Sequence, residues 1–472
     1  MTSAHQVKIL DVHHVTPFFT PPEFATELSL PLTFFDIMWL KLQPVGYIFF
    51  YKLTESTPAF FNSVILPKLK HSLSHTLIHF LPLAGNITWP PQATTPIILY
   101  TPNDAIQLTV AESNADFDHL SGNDIREAMK SHLYLPELPV TDAKATAMTM
   151  QITLFPNQGF CVGMSSHHSI LDGTSYSMFI KAWSYISTLS DKETQQYPTL
   201  LPELTPVLDR TGIQDPAGFE KRFLNAWLGV KVPGQDPNCS RSLKLLPVIT
   251  PQSSLVRAVV EVSREQINKL RERVRTHFGK IHNEDPNETK LVHMSSFVLL
   301  YAYVVICIVK SKGLEQNRKV VFGFLADCRA RLDPPIHDKY FGNCLYSFAV
   351  DTEARALLEE NGFAWAVERL SDTIRNLEKG VLDGVKEALA TYNKTARPGA
   401  ALLLGVAGST HYDVYGTDLG WGRPEKVEIT SIDQTAAISM TKCKHGSGVE
   451  FALVLEKHEM EKFMSLFVDG VI

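Results

Sequence analysis

Two adjacent histidines followed by an aspartate and a glycine form the segment of this sequence with the clearest chemical potential. The stretch SSHHSILDGTS covers residues 165–175, so His167 and His168 precede Asp172 and Gly173. A histidine titrates near neutral pH, and it can bind a metal ion or accept a proton from an alcohol. The aspartate could hold the local geometry, and glycine permits a tight turn. Metal binding, general-base catalysis and an ordinary polar turn are therefore all open.

The neighbouring residues predict the elements that position this segment. Apolar and polar residues alternate over Met148–Leu154 and again over Phe160–Met164, and PNQG at 156–159 supplies a turn. This pattern predicts a half-buried β-hairpin. After Gly173 the apolar residues follow a helical period. His168 is thus expected where a strand ends and just before a helix, a junction at which a rigid element can aim a side chain.

The spacing argues against a metal site and against a covalent nucleophile. Neighbouring residues at a strand end point to opposite faces, so His167 and His168 cannot both bind one ion. No other cluster in the sequence has the spacing of metal ligands. The nearest stretch to a serine elbow, GTSYS at 173–177, lacks its final glycine, and no phosphate-binding glycine motif occurs. His168 is left as either a general base or a structural histidine.

Length, composition and charge bound the class of protein. The chain has 472 residues, which suggests two or three domains, and a net charge of -6 gives no reason to expect a nucleic-acid partner. Its six cysteines are scattered singly, as expected for reduced thiols in the cytoplasm. The longest apolar run, Phe297–Val309, is shorter than the roughly 20 residues of a membrane helix. We expect a buried core helix there, no secretion signal and no membrane partner.

The remaining pattern predicts strands and helices in both halves. The proline-rich region 188–247 reads as a long connection with one helix near 219–229. A strand at 254–262 then precedes a helix whose start carries a capping box of Ser263 and Gln266. A helical tract is predicted from Gly362 to about Tyr392. Three strands within 426–457 read as a meander, closed by an amphipathic helix at 459–468.

HHSILDG at 167–173 resembles the HxxxD(G) motif of the BAHD acyltransferases, a plant family that transfers acyl groups from CoA thioesters to alcohols and amines. The second motif of that family, DFGWG, is matched far downstream by DLGWG at 418–422, with Leu419 in place of the usual phenylalanine. LPLTFFD at 30–36, LPLAGN at 81–86 and ADCRARLDPP at 326–335 also resemble family segments. The sequence is therefore identified as a member of this family.

The resemblance implies an α/β fold of two chloramphenicol-acetyltransferase-like domains of mixed sheet and helices, with an active-site channel between them. Residues 1–187 would form the domain that carries HxxxD, 188–247 the crossover connection, and 248–472 the domain that carries the DFGWG-like loop. Acyl-CoA would enter the channel from one side as co-substrate and the acceptor from the other. No permanently bound cofactor and no metal are implied, and a monomer is expected.

The resemblance also assigns roles to residues around the motif. His168 would be the catalytic base, and His167 would face away and be dispensable for chemistry. Asp172 would turn from the substrate and, with Gly173, support the loop by pairing with Arg329. Asn343 or Trp421 would donate to the tetrahedral oxyanion, although Asn343 can equally be a turn residue and Trp421 a packing residue.

Two further groups of residues carry expected roles. The DFGWG-like loop would be structural, so that the Leu419 replacement would affect packing only; its other residues are Asp418, Gly420, Trp421 and Gly422. Ser263 and Arg264 are candidate contacts for CoA, with Arg271, Arg273 and Arg275 beside them. A solvated helix face explains the arginines equally well.

YFGNC at 340–344 resembles the motif of the branch that acylates glycosides of anthocyanins, flavonoids and related phenolics. The acceptor would then be a sugar hydroxyl of a phenolic glycoside. Malonyl-CoA is the favoured donor, with p-coumaroyl- or caffeoyl-CoA as the alternative. A malonyl carboxylate would need a cation, for which Lys181 is one candidate, although it can also reach solvent. A binding protein of the same fold that has lost turnover is the remaining alternative.

Overall fold

The computed structural model describes residues 7–19, 26–189, 199–215, 217–247, 254–284, 292–377, 380, 382, 401–435 and 437–471. The strands, in chain order, are β1 (Val7–Val15), β2 (Leu28–Pro31), β3 (Val45–Lys52), β4 (Asn86–Thr88), β5 (Ile97–Tyr100), β6 (Ile106–Ser113), β7 (Arg126–Glu127), β8 (Lys144–Thr146), β9 (Met148–Phe155), β10 (Gly159–Ser166), β11 (Leu255–Val262), β12 (Lys319–Asp327), β13 (Leu345–Glu353), β14 (Leu402–Leu404), β15 (Val406–Ala407), β16 (Lys426–Ile429), β17 (Ile438–Lys442) and β18 (Val449–Glu456). The α-helices are α1 (Phe34–Ile37), α2 (Pro58–Phe60), α3 (Leu66–Leu77), α4 (Leu81–Ala84), α5 (Phe117–Ser121), α6 (Gly173–Leu189), α7 (Phe219–Leu228), α8 (Arg264–Glu284), α9 (Ser296–Ser311), α10 (Ala354–Leu358), α11 (Gly362–Asn376), α12 (Ile432–Thr435) and α13 (Lys457–Val471).

The predicted hairpin, β9 and β10, lies at the centre of a six-stranded sheet. The order of this sheet is β1-β6-β9-β10-β3-β16. The prediction that the hairpin is half-buried is wrong, because every residue of both strands is buried. Residues 128–137 cover the polar face and satisfy it: Gln151 Nε2 donates to the carbonyl oxygen of Leu133 (3.1 Å), and Ser165 Oγ to that of Pro136 (2.7 Å). Polar side chains can be buried here because backbone carbonyls accept their hydrogen bonds.

The second half builds its own core around the long apolar helix. α9 is buried over most of its length, which confirms the predicted core helix, and it packs against α8, α11 and α13. A five-stranded sheet, β15-β17-β18-β11-β7, lies beside them. The capping box at the start of α8 is also confirmed, because Ser263 and Gln266 each donate a backbone N–H to the other's side chain. In the described part of the chain, no helix has the combined length and apolarity needed to cross a membrane.

Two short strands are exchanged between the halves. β16 pairs with β3 in the six-stranded sheet, so the predicted C-terminal meander is wrong, and only its β17–β18 pair is present. In the opposite direction, β7 pairs with β11. A buried ion pair between Arg126 and Glu428 joins the two exchanged strands. Arg257 of β11 lies 3.7 Å from the same Glu428 and pairs with Asp433 of α12 (3.2 Å). Breaking such pairs is costly because an unpaired charge would be left buried. The domain boundaries at 187 and 247 stay a prediction.

The connection between the halves contacts both of them, and towards the second half the backbone of Val207 pairs with residues 339–341. Its predicted helix is α7, and the Trp227 indole there donates to the carbonyl oxygen of Ile37 (2.7 Å). Residues 190–198 and 216 of the predicted connection lie outside the described residues. The same holds for residues 383–400, so the predicted extension of the helical tract to Tyr392 is described only as far as α11, which ends at Asn376.

Candidate active site

The paired histidines lie in the turn between β10 and α6. The backbone N–H of His167 donates to the carbonyl oxygen of Ala147 (2.9 Å), which extends the strand pairing by one residue. The His167 side chain is 1% exposed, and its Nδ1 accepts a hydrogen bond from the backbone of Ser169. His168 is partly exposed. The ring of His167 is therefore enclosed in the protein, whereas that of His168 reaches its surface.

The ring of His168 stacks on the indole of Trp39. The ring centroids are 3.9 Å apart and the planes differ by 4°. Nδ1 of His168 is buried without a hydrogen-bond partner, so the accessible nitrogen of this ring is Nε2. Burial lowers the pKa of His168 to about 4, and the charge of Asp172 opposes this shift. At neutral pH the imidazole is neutral, which is the form that can accept a proton.

Asp172 is held away from the ring of His168 by a bidentate ion pair. Its two carboxylate oxygens accept hydrogen bonds from Arg329 Nη1 (2.9 Å) and Nη2 (3.1 Å). They also accept from the backbone N–H groups of Ser175 and Cys344. The Asp172 side chain is fully buried. Asp172 thus starts α6 as its N-terminal cap and joins that helix to the segment that follows β12.

Gly173 is required by packing. A Cβ atom at this position would lie 2.7 Å from the aromatic ring of Tyr412, so the tyrosine would have to move to admit any other residue. The structure adds a packing reason to the predicted tight turn, because a tyrosine from another part of the chain occupies the space beside Gly173. The Tyr412 hydroxyl hydrogen-bonds Thr174 (3.0 Å) at the start of α6.

Asn343 touches the histidine's backbone and has no donor left for an oxyanion. Its Nδ2 donates to the carbonyl oxygen of His168 (2.9 Å) and to Oδ1 of Asp36 (3.1 Å). Both N–H bonds of the amide are used, so the expected oxyanion role of the Asn343 side chain is corrected to a supporting contact.

Trp421 lies near the opposite end of β10. Its indole packs edge-on against Phe160 (5.6 Å between centroids), and Lys68 Nζ lies 5.1 Å from its centroid. Phe160 and Ser166 are separated by six extended residues, about 20 Å at 3.3 Å per residue. The structure does not bring Trp421 to His168, so the expectation of an oxyanion donor there is corrected.

The rest of the DLGWG loop is held by backbone contacts. Asp418 Oδ1 accepts from the N–H groups of Gly420 (2.7 Å) and Gly422 (2.9 Å), both of which have positive φ. Ser187 on α6 donates to the carbonyl oxygen of Leu419, whose side chain is buried. The loop closes on itself and packs on the last turns of α6.

The candidate CoA residues lie on the exposed face of α8. Ser263 is engaged as the helix cap, and Arg264 is exposed. The neighbouring arginines make contacts within the chain: Arg271 with Asn268, Arg273 with the carbonyl oxygen of Gly470, and Arg275 with Glu272. A role in CoA binding stays a prediction for Ser263 and Arg264. Over the described residues, no group of three or more His, Cys, Asp or Glu could hold a metal ion.

Sequence reasoning missed two residues of this site, Asp36 and Trp39. Both belong to the segment around α1, about 130 residues before the histidines. Thr33 and Asp36 form a capping box, a pattern that the sequence displays and that predicts a helix start. Nothing in that local pattern indicates that the helix lies beside His168.

The sequence of this chain is similar to those of known transferases along nearly its whole length. The family model described as "Transferase family" matches residues 16–469. Phenolic glucoside malonyltransferase 1 of Arabidopsis thaliana is 42% identical over 98% of both chains, as is malonyl-CoA:anthocyanidin 5-O-glucoside-6''-O-malonyltransferase of the same organism. Agmatine coumaroyltransferase of Arabidopsis thaliana is 37% identical, again over 98% of both chains.

The chain belongs to the BAHD family of acyltransferases and is an acyltransferase enzyme. The predicted family is thereby confirmed, and a binding protein without turnover is set aside. Among solved structures, vinorine synthase superposes with a TM-score of 0.66 at 20% identity, covering 98% of both chains. This likeness confirms the predicted α/β fold of two chloramphenicol-acetyltransferase-like domains.

Proposed function

We propose that this enzyme transfers a malonyl group from malonyl-CoA to a sugar hydroxyl of a phenolic glycoside, such as a flavonoid or anthocyanin glucoside. The observation that carries this proposal is the 42% identity, along the whole chain, to two enzymes named as malonyltransferases of glucosides. The YFGNC segment at 340–344 supports the same acceptor class.

His168 acts as the general base in this proposal. Nε2 takes the proton of the sugar hydroxyl while the hydroxyl oxygen attacks the thioester carbonyl. The tetrahedral intermediate then collapses, the C–S bond breaks, and the departing CoA sulfur receives the proton from the imidazolium. The neutral form of His168, favoured by its lowered pKa, is the form that this first step needs.

The other site residues support this base. Asp172, Gly173 and Arg329 fix the turn that carries it, and the loop of Asp418, Gly420, Trp421 and Gly422 supports the far end of the same strand. Ser263 and Arg264 remain our candidates for the phosphates of CoA. We further propose that the enzyme is monomeric and cytoplasmic and that it binds neither nucleic acid nor membranes.

A hydroxycinnamoyl-CoA donor is the second candidate. It is favoured by the 37% identity to agmatine coumaroyltransferase. It is also favoured because none of three cationic side chains, Lys181, Arg329 and Arg210, is available to bind a malonyl carboxylate. Lys181 is exposed on α6, whereas Arg329 and Arg210 are already paired with Asp172 and Asp36. None of these three is free and inward-facing, as a malonyl carboxylate would require.

A panel of donors and acceptors read by mass spectrometry tests the proposal. We expect a product heavier by one malonyl group with malonyl-CoA and a flavonoid glucoside, and none with the matching aglycone, which lacks the sugar. If the product instead gains mainly the mass of a coumaroyl group, the donor is coumaroyl-CoA and not malonyl-CoA. CoA release of equal rate without any acceptor would indicate a hydrolase and contradict the proposal.

A further inference from the structure

Two sequence motifs have no part in the proton transfer described above, yet the structure brings them together beside His168. LPLTFFD leads into α1, which carries Asp36, and Trp39 follows it. YFGNC supplies Asn343, which is fully buried. These segments are about 300 residues apart in the chain, and they meet at the turn that follows β10.

The orientation of His168 does not come from a carboxylate on its ring. In the described part of the chain, the carboxylate of Asp172 accepts only from Arg329, Ser175 and Cys344. What fixes the ring is Trp39, whose indole lies parallel to it at 3.9 Å. A stacked neighbour on one face restricts rotation of the imidazole about its χ2 torsion, because any other angle brings the two rings into collision.

The backbone of His168 is held separately, by Asn343. Its amide lies between two acceptors, the His168 carbonyl oxygen and the Asp36 carboxylate, so the nitrogen must be the atom that faces both. The backbone N–H of Asn343 donates to the same Asp36 oxygen (2.9 Å). Asp36 therefore sets both the main chain and the side chain of Asn343.

Asp36 is itself fixed from two other directions. Its second oxygen accepts from the backbone and hydroxyl of Thr33, both at 2.9 Å, and it pairs with Arg210 of the crossover connection. The side chains of Asp36 and Arg210 are 0% and 4% exposed. A buried, fully bonded carboxylate has little freedom to move, so it is a firm anchor for Asn343.

We propose that Trp39 and Asn343 are positioning residues that fix the ring and the backbone of His168, with Asp36 as their common anchor. The inference rests on the proposed role of His168 as base. Its consequence is kinetic, since a base displaced by about 1 Å can lose roughly a hundredfold in rate. The effect falls on kcat, because neither residue needs to touch the donor to do this.

Steady-state kinetics of the full chain with malonyl-CoA and a flavonoid glucoside provide the first test. We expect Trp39→Leu and Asn343→Ala each to lose about ten- to a hundredfold in kcat, with KM for malonyl-CoA within threefold. Trp39→Phe keeps a stacked ring and should recover most of the loss. Val305→Ala in α9, buried in the other core, controls for lost stability and should keep its kcat. A kcat within threefold of wild type in both test variants, or an equal loss in Val305→Ala, overturns the proposal.

A spectroscopic test does not depend on turnover. In a protein labelled at histidine, the His168 signal is the one missing from His168→Ala, and the Trp39 ring current should shift it upfield. We expect the shift to vanish in Trp39→Leu and to persist, reduced, in Trp39→Phe. A His168 signal that is the same in Trp39→Leu as in wild type overturns the stacking role of Trp39. This test holds even if the wild-type enzyme is inactive with every donor, because that result would contradict only the proposed function.

Discussion

The two motifs of this enzyme, HHSILDG and DLGWG, lie near opposite ends of β10, and the two regions are stabilised in different ways. Beyond the last residue of β10, the His168 turn is held by buried charges from distant segments, among them Arg329 and Asp36. Near its first residue, the loop of Asp418 is held by glycine N–H groups and by serines of α6. The His168 end thus depends on buried ion pairs, and the Trp421 end on backbone hydrogen bonds and packing.

The largest effect on stability should follow loss of the buried pair at the His168 end. Asp172→Leu leaves Arg329 without its bidentate partner, and we expect the free energy of unfolding to fall by about 3–5 kcal/mol. Urea unfolding measures this change. Asp327→Asn is the matched control, because Asp327 also bonds Arg329 Nη1 but is 36% exposed and should cost under about 1 kcal/mol. Equal losses in the two variants would contradict the comparison.

At the Trp421 end, Trp421→Leu should affect stability and not chemistry. The indole packs on Phe160, so its removal should lower the free energy of unfolding by about 1–3 kcal/mol. Because the loop is far from His168, kcat should stay within twofold of wild type. A tenfold fall in kcat in a folded variant would place Trp421 in the reaction.

The pH dependence of kcat/KM tests the lowered pKa of His168. Protonation of His168 inactivates the base, and burial lowers its pKa to about 4, so the rate is lost as pH falls toward 4. At pH 5.5 nearly all of the activity, about 97%, should remain, whereas an unperturbed histidine with a pKa of about 6.5 would leave about a tenth. An inflection near pH 6.5, with the protein folded by circular dichroism, would contradict this environment.

The smallest effect should come from restoring the usual family residue in the loop. Leu419 is 1% exposed, so Leu419→Phe must fit a larger ring into a filled space, at a cost of about 1 kcal/mol. The thermal unfolding temperature should fall by only about 1 °C in a chain of 472 residues, and kcat should not change. A kcat altered more than threefold would show that this position acts on the site.

The elements near His168 could be predicted from sequence because they are local. The alternation of the hairpin and the period after Gly173 locate the histidine at a strand end, and both elements are present. The burial of both hairpin faces could not be predicted, because residues 128–137, which lie outside the two strands, cover the polar one.

Contacts between distant segments could not be predicted from these patterns. β16 has the composition of a strand, but its alternation does not specify whether it pairs with β3 or β17. Asp36 and Trp39 likewise have only a local signature, a helix start, and their contacts with Asn343 and His168 exist only in the folded chain.

The central claim is that chemistry occurs at the His168 end of β10 and not at the Trp421 end. The most direct test is kcat for His168→Ala with malonyl-CoA and a flavonoid glucoside, measured beside Trp421→Leu. We predict that His168→Ala loses about 10²–10⁴-fold in kcat while remaining folded, because a positioned general base contributes that much. A loss below tenfold in folded His168→Ala would contradict the claim.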